Sequence, residues 1–436
     1  NEYLTSYKHL KKLEGLEKNH LIYSQIYQHT LVNLKKFDKA YDFSKKIKNK
    51  NPNDFQSNLI IGLHYLKYRQ YKVASNYFQE LSRDTKQNNP LTNLLAISLN
   101  GWSIFPNIEK NEALNYLNKL PKNFGNVIKI QKTFAHCFYN SNNTQEEFIK
   151  LTSDKKTDFS RYNFFLANYM QRSSQVSEAI EIVKNFLNNY PKNLLLKQLF
   201  EDIKKKNNGK FSDKFNCQNP AHVVAEILYI ASNAMATQSA YQLSNFYLNL
   251  AMYLNSDFVS YKTLYAENFY MINSMENSKK IYKDIKNSGS VYKWHAAKQI
   301  SKILIKENDK EEAIKMLKIN FSEIASPTID QIYDYAEFLK NNEKYKQSIQ
   351  HYTKIINSIK EDHYLYPRAT DGRGVANERL GKWKKAENDF LNSLRIKPDQ
   401  PYVLNYLAYS WIEQGVKIEK SLDMIKKANE LKKNDG

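Results

Sequence analysis

The chain is short of the residues that break regular structure. Glycine occurs 11 times and proline 10 times in 436 residues, where an average chain carries roughly 12% of the two together. An all-β fold needs a turn every ~8–12 residues, and these breakers are too few to supply it. Gly-rich or Pro-rich disorder is excluded on the same ground. There is no run of ~18 apolar residues, so no segment reads as a membrane-crossing helix. There are two cysteines, Cys137 and Cys217, and their spacing does not suit a cysteine-built zinc site. One disulfide is arithmetically possible. Cys137, however, lies in the apolar helical stretch Phe134–Ala135–His136–Cys137–Phe138, and a buried thiol is the expectation. Two thiols do not fix the compartment. No signal-peptide pattern opens the sequence. The chain starts on Asn1 rather than Met and closes on Lys433–Asn434–Asp435–Gly436 without a closing element, so it reads as an excerpt of a longer protein.

What is present is apolar and basic. Hydrophobic residues make up 42% and aromatics 13%, enough for a core and against wholesale disorder. Lys and Arg number 65 against 45 Asp and Glu, a net charge of +20. Such a surface can attract nucleic acid or anionic lipid. Here the lysines are mixed among acids and asparagines, as in Lys204–Lys205–Lys206–Asn207–Asn208. No long polybasic block occurs, which favours ordinary solvated faces.

The sequence repeats. Small residues recur at Ala40, Ala74, Ala113, Ala179, Ser244, Ser278, Ala313, Ser348, Ala386 and Ser421, with Glu147 in one equivalent place. A second small residue stands twelve positions earlier, at Gly62, Gly101, Ala135, Ala167, Ser232, Ala266, Ser301, Ala336 and Gly374, and thirteen earlier at Ala408; Gln28 breaks the rule. Bulky residues follow the first set by four, among them Phe78, Leu117, Tyr282, Tyr352 and Phe390. Pro52, Pro191 and Pro398 fall twelve later, where a second helix stops. This is the pattern of two antiparallel helices that touch at small side chains while large neighbours interdigitate.

The arrangement resembles the tetratricopeptide repeat. The unit 367–400, with Gly374, Trp383, Ala386, Phe390 and Pro398, carries the likeness best, and 55–88 follows with Gly62, Tyr71, Ala74 and Phe78. The proline is missing from most units and Glu147 replaces the alanine. The resemblance implies an all-α, right-handed superhelical solenoid of about eleven helical hairpins. The expected organisation is a partial leading helix over 1–20, an N-terminal array over 21–191, an extra helix and linker loop over 192–220, and a C-terminal array over 221–436 that is cut at its end. The extra helix should run from Leu194 to Lys206, with turns at Asn207–Asn208–Gly209 and Asn219–Pro220. The stretches Pro398–Trp411 and Ala225–Ser232 look like segments of long repeat proteins of alphaproteobacteria. That likeness suggests a bacterial envelope location, with a cytoplasmic one as the alternative.

Catalytic patterns are not found. His64, His136, His295 and His351 lie in separate repeats, and no His-Glu-x-x-His motif occurs. Gly372-x-Gly374 lacks a preceding strand and is not a phosphate loop. Glu311–Glu312 fit the start of a helix. No metal, no cofactor and no catalytic residue is expected. The resemblance places the working surface on the concave face, at the second, fifth, ninth and twelfth residues of each first helix, which share one side. Those positions give Tyr229, Asn233, Glu267, Tyr270, Lys298, Lys302, Tyr333, Glu337, Asn405 and Tyr409, with Lys340, Asp371, Glu378 and Tyr402 beside them. Some repeat proteins clamp a terminal carboxylate with Lys and Asn; here Lys298 and Lys302 are followed by Asp334, and the clamp is not matched. The expected function is a non-catalytic scaffold or adaptor that binds a protein or peptide. The alternatives are a substrate-presenting domain of an enzyme whose catalytic part lies outside this chain, and a nucleic-acid binder using the basic surface.

Overall fold

The computed structural model describes residues 2–15, 20–81, 90–154, 156–205 and 214–432. Among them every regular element is helical, and eleven helical hairpins run from Leu21 to Leu431. Helix Glu2–Lys12 precedes the first hairpin, and a lone helix, Leu194–Lys204, follows the fifth. The expected last residue of that helix, Lys206, and the turn at 207–209 lie outside the described residues. The chain forms two compact units, Asn1–Ala296 and Ala297–Gly436.

The two registered small positions are where the helices of a hairpin meet. Ala40, Ala74, Ala113, Ala179, Ser244, Ser278, Ala313, Ser348, Ala386 and Ser421 are all fully buried. So are their first-helix counterparts Ala167, Ser232, Ala266, Ser301, Ala336 and Ala408. Gly374 shows the cause: a Cβ there would stand 2.7 Å from the ring of Phe390, the bulky residue four beyond Ala386. The exception Gln28 is buried too, and its amide donates to Ser44 Oγ at 3.0 Å and Ser57 Oγ at 2.7 Å. Glu147 stays half-buried, and the neighbouring Phe148 fills the core instead.

Most hairpins turn on a residue in the left-handed region. Lys35, Arg69, Ser174, Ser239, Asn273, Asn308, Glu343 and Gly381 each stand five before the small residue of the second helix, all with positive φ. The next amide reaches back to close the helix end, as Gln175 N does to Met170 O at 2.9 Å and Lys382 N to Asn377 O at 2.9 Å. Most of these residues are not glycine, and a left-handed side chain costs roughly 1–2 kcal/mol.

In the first unit the repeats do more than stack on neighbours. Helices Pro220–Thr237 and Tyr241–Leu254 are apolar nearly all round, and almost every residue from Ser244 to Leu254 is buried. A helix of that kind needs partners on every side. It finds them on the first three hairpins, mainly on their first helices. His29 stacks on Phe246 at 4.1 Å, Phe37 lies 4.4 Å from Tyr253, and Asn249 Nδ2 donates to Asn33 Oδ1 at 3.1 Å. His64 Nδ1 and the Tyr253 hydroxyl are 3.0 Å apart. Helix Pro220–Thr237 lies along Pro90–Ile104. Solenoid repeats ordinarily touch only the next repeat; here a late hairpin covers the inner faces of early ones.

The same fold-back corrects the expectation for the cysteines. Cys137 and Cys217 are not buried thiols but form a disulfide, with Cα atoms 5.9 Å apart and 80 residues between them in sequence. The segment ahead of Pro220 is held against helix Gly125–Phe138 because Phe215 packs on Phe134 at 5.6 Å and on Phe165 at 4.5 Å. That packing brings the two sulfurs together, and local sequence carries no sign of it.

Two stability measurements check these points. Ser174→Gly should raise the urea midpoint, by about 0.5–1 kcal/mol after the greater freedom of glycine in the unfolded chain is subtracted. Asn273→Gly should change little, since asparagine already tolerates the left-handed region. A lower midpoint for Ser174→Gly would contradict the strain. Separately, reductant should destabilise the wild type by about 2–4 kcal/mol and leave a Cys137→Ser, Cys217→Ser double variant unmoved. Equal sensitivity of the two proteins would rule the crosslink out.

Candidate functional site

The expected site residues fall in both units. In the first, Tyr229 is half-buried, with the Arg161 guanidinium 4.0 Å above its ring and Tyr261 5.5 Å to its side. One turn earlier on the same helix, Glu226 is fully buried. It accepts two bonds from Arg161, at 2.6 Å and 2.8 Å, and one from the Tyr261 hydroxyl at 3.3 Å. A third guanidinium nitrogen donates to Ser260 Oγ at 2.7 Å. Each guanidinium nitrogen and the Tyr261 hydroxyl has an acceptor, so the cluster braces three helices. Removing either member would strand a buried charge, at a cost of about 3–5 kcal/mol. Asn233 and Glu267 are exposed, and Tyr270 is half-buried.

The second unit carries the rest. Its first helices are the end of Ser290–Lys306, then Ile329–Asn341, Tyr366–Arg379 and Pro401–Glu413. Polar side chains tie these helices within and across repeats. Lys298 Nζ pairs with Asp334 Oδ2 at 2.6 Å. Glu337 Oε1 accepts from the Tyr352 hydroxyl and from Lys340 Nζ at 2.9 Å. Glu378 Oε2 accepts from the Tyr406 hydroxyl at 2.8 Å. Tyr333 lies half-buried with its ring 6.1 Å from that of Tyr352. These bonds engage Lys298, Tyr333 and Glu337 within the array. Lys302 is exposed one turn beyond Lys298.

The second glycine of Tyr366–Arg379 has a role that the repeat pattern hides. A Cβ at Gly372 would stand 2.5 Å from Cζ and 2.7 Å from the hydroxyl of Tyr352. The absence of a side chain lets Tyr352 cross this helix to reach Glu337. Sequence reading assigned only Gly374 to packing; the Gly372 signal was its two-residue offset from the repeat position. Arg373, unnoticed in the sequence, grips Asp389 at 2.7 Å and 3.0 Å, and Asn377 Nδ2 adds a third donor at 3.2 Å.

The final first helix differs. Tyr402 and Tyr409 are 61% and 59% exposed, and Asn405 between them is exposed as well. Spacings of three and four put the three on one face. Among the described residues no three His, Cys, Asp or Glu side chains converge to hold a metal ion, and no helix is long and apolar enough to cross a membrane.

The hairpins are tetratricopeptide-like. No family model matches the chain, and no curated protein matches it. Among solved structures it is similar to a chain of the APC/C hetero-tetramer Cut9–Hcn1, with 10% identity over 95% of this chain and 94% of that one and a TM-score of 0.36. It is also similar to MamA from Desulfovibrio magneticus RS-1, with 13% identity over 41% of this chain and 97% of that one and a TM-score of 0.32. TM-scores this low add no argument, and the architecture rests on the packing and turns described above.

One residue of the strip titrates in a useful range. Asp371 Oδ1 is buried and finds no hydrogen-bond partner among the described residues. Burial pushes its carboxyl from 3.8 up to about 6; Lys340 opposes the rise and Glu337 adds to it. The folded state therefore holds this proton more tightly than the unfolded chain. Its ionisation lowers stability as pH rises from about 4 to about 6, and the loss persists above that window. Asp371→Asn should add about 1–2 kcal/mol at pH 7.5 and little at pH 3.5. Urea midpoints across pH check this; a gain of equal size at both pH values would assign the effect to something other than the proton.

Proposed function

We propose that the chain is a non-catalytic scaffold that holds a protein or peptide segment against the first-helix face of residues 297–436. The observation that carries this reading is the exposed set Tyr402, Asn405 and Tyr409 on the last first helix, beyond a strip in which Lys298, Glu337 and Glu378 are bonded within the array. Tyrosine combines apolar area, few rotatable bonds and a hydroxyl, and it is enriched where binding energy concentrates. Two such rings in water with a hydrogen-bonding amide between them form a contact surface without nucleophile, base or metal. The preceding repeat and the partner helix Ile418–Leu431 supply a rigid base, which lowers the ordering cost of binding.

The test is site-directed photocrosslinking in the native host, with the photoreactive residue at position 405 and, as a convex control, at position 384. Position 405 should yield a discrete protein adduct and position 384 should not. Against that purified partner, Tyr402→Ser with Tyr409→Ser should weaken binding by about 1–3 kcal/mol while leaving the melting temperature in place, since both rings are exposed. Unchanged affinity in the double variant would move the binding surface elsewhere.

A further inference from the structure

Hairpin Pro220–Leu254 covers the inner faces of the early repeats, and two imidazoles stand in that contact. His29 lies flat on Phe246, 4.1 Å away with 11° between the ring planes. His64, on helix Phe55–Lys67, stacks on Tyr41 at 3.9 Å, and its Nδ1 is 3.0 Å from the Tyr253 hydroxyl. Helix Tyr241–Leu254, which meets both, carries no Asp, Glu, Lys or Arg. The carboxylate of helix Pro220–Thr237 is Glu226, and Arg161 engages it. The late hairpin therefore brings no spare acid to pair with an imidazolium.

A positive charge is costly in such a contact, because burial disfavours the ionised form of a base. Burial alone pushes His29 from 6.5 down to about 4. Burial also pushes His64 down; Asp38 and Asp42 of helix Phe37–Lys48 oppose the shift, while Lys67 and Lys45 add to it. Lys67 Nζ lies 3.8 Å over the Tyr253 ring, so a charged His64 would join a cation already at the contact. Both imidazoles are neutral near pH 7, and they regain an ordinary affinity for protons when the hairpin lifts away. The folded values are the depressed ones. The contact is therefore at full strength above about pH 6.5 and weakens as pH falls toward about 4.

The remaining links across the contact are uncharged, as between Asn249 and Asn33 and between Phe37 and Tyr253. Lifting does not set the hairpin adrift, since Cys217, just ahead of Pro220, stays bonded to Cys137. We propose that hairpin Pro220–Leu254 is a proton-released clasp, closed over the first three hairpins at neutral pH and opened in acid as His29 and His64 take up protons. Release uncovers the first-helix face of those repeats, the counterpart of the face to which binding is ascribed in residues 297–436.

Amide hydrogen exchange on the full chain at about pH 7.5 and about pH 4 tests it, read as protection factors so that the intrinsic pH dependence of exchange divides out. Return of His29 alone to its ordinary value on opening makes the open state about 100-fold more populated at the lower pH. Protection should fall by at least that factor along Leu21–Asn33 and Tyr241–Leu254, and far less along Gly125–Phe138 and Trp383–Ile396. His29→Phe keeps a ring against Phe246 without a proton site, and His64→Gln keeps a hydrogen-bonding group for Tyr253. The double variant should lose most of the fall. No fall along the first two segments, an equal fall in all four, or a full fall in the double variant would overturn the proposal. If the double variant misfolds, the His29 and His64 ring resonances of the wild type decide. Titration in step with the loss of protection supports the clasp; protection that survives their protonation, or rings that stay neutral at the lower pH, refutes it.

Discussion

In most hairpins two side chains are too small to hold the helices apart, and the rest of the molecule is arranged around that approach. Ala386 and Gly374 meet so closely that Phe390 must lie across the glycine. The bulky residue one turn on then fills the space beside the contact, as Phe78, Leu117, Leu248, Leu317 and Tyr352 do in their own hairpins, all fully buried. Burying a side chain of that size contributes roughly 1.5–3 kcal/mol, so the spacing is fixed by packing energy and not by helix propensity. It also dictates the turn. In most hairpins the short connection holds one left-handed residue, usually without a glycine.

In the first unit a second demand is laid over this one. Helices Pro220–Thr237 and Tyr241–Leu254 carry more apolar surface than their own hairpin can cover. They satisfy it on the inner faces of the early repeats, and polar groups follow them inside. Asn249 meets Asn33 and His64 meets Tyr253. His29, stacked on Phe246, is pushed down to about 4 by burial. The Arg161–Glu226 pair and the Cys137–Cys217 bridge lie within the same unit, tying together parts of the chain that are far apart in sequence.

The second unit treats its polar residues differently. Its first helices are joined by single bonds across repeats, Lys298 to Asp334 and Tyr406 to Glu378, each accessible to water and so of modest strength. Some of the positive charge is absorbed by rings, as where Lys417 sits 4.3 Å over Trp411. The residues that such bonds leave toward solvent, Tyr402, Asn405 and Tyr409, are the ones to which a scaffold role is attached.

The sequence by itself determined the hairpins. Ten small residues at a near-constant spacing, with Glu147 in one equivalent place, a second small set twelve before most of them and three prolines twelve after marked the helix pairs, because helix contact within a repeat is local and recurs along the chain. It also marked the strip positions, since spacings of three and four select a face. Tertiary structure alone decided which of those positions are engaged. Lys298, Tyr333 and Glu337 lie at strip positions and are held by Asp334 and Tyr352 of the array. Gly372 acquires its purpose only from a tyrosine twenty residues earlier. The disulfide and the Arg161–Glu226 pair each join residues far apart in sequence. Their partners are set by where a late hairpin folds back, and no periodic pattern encodes a contact that occurs once.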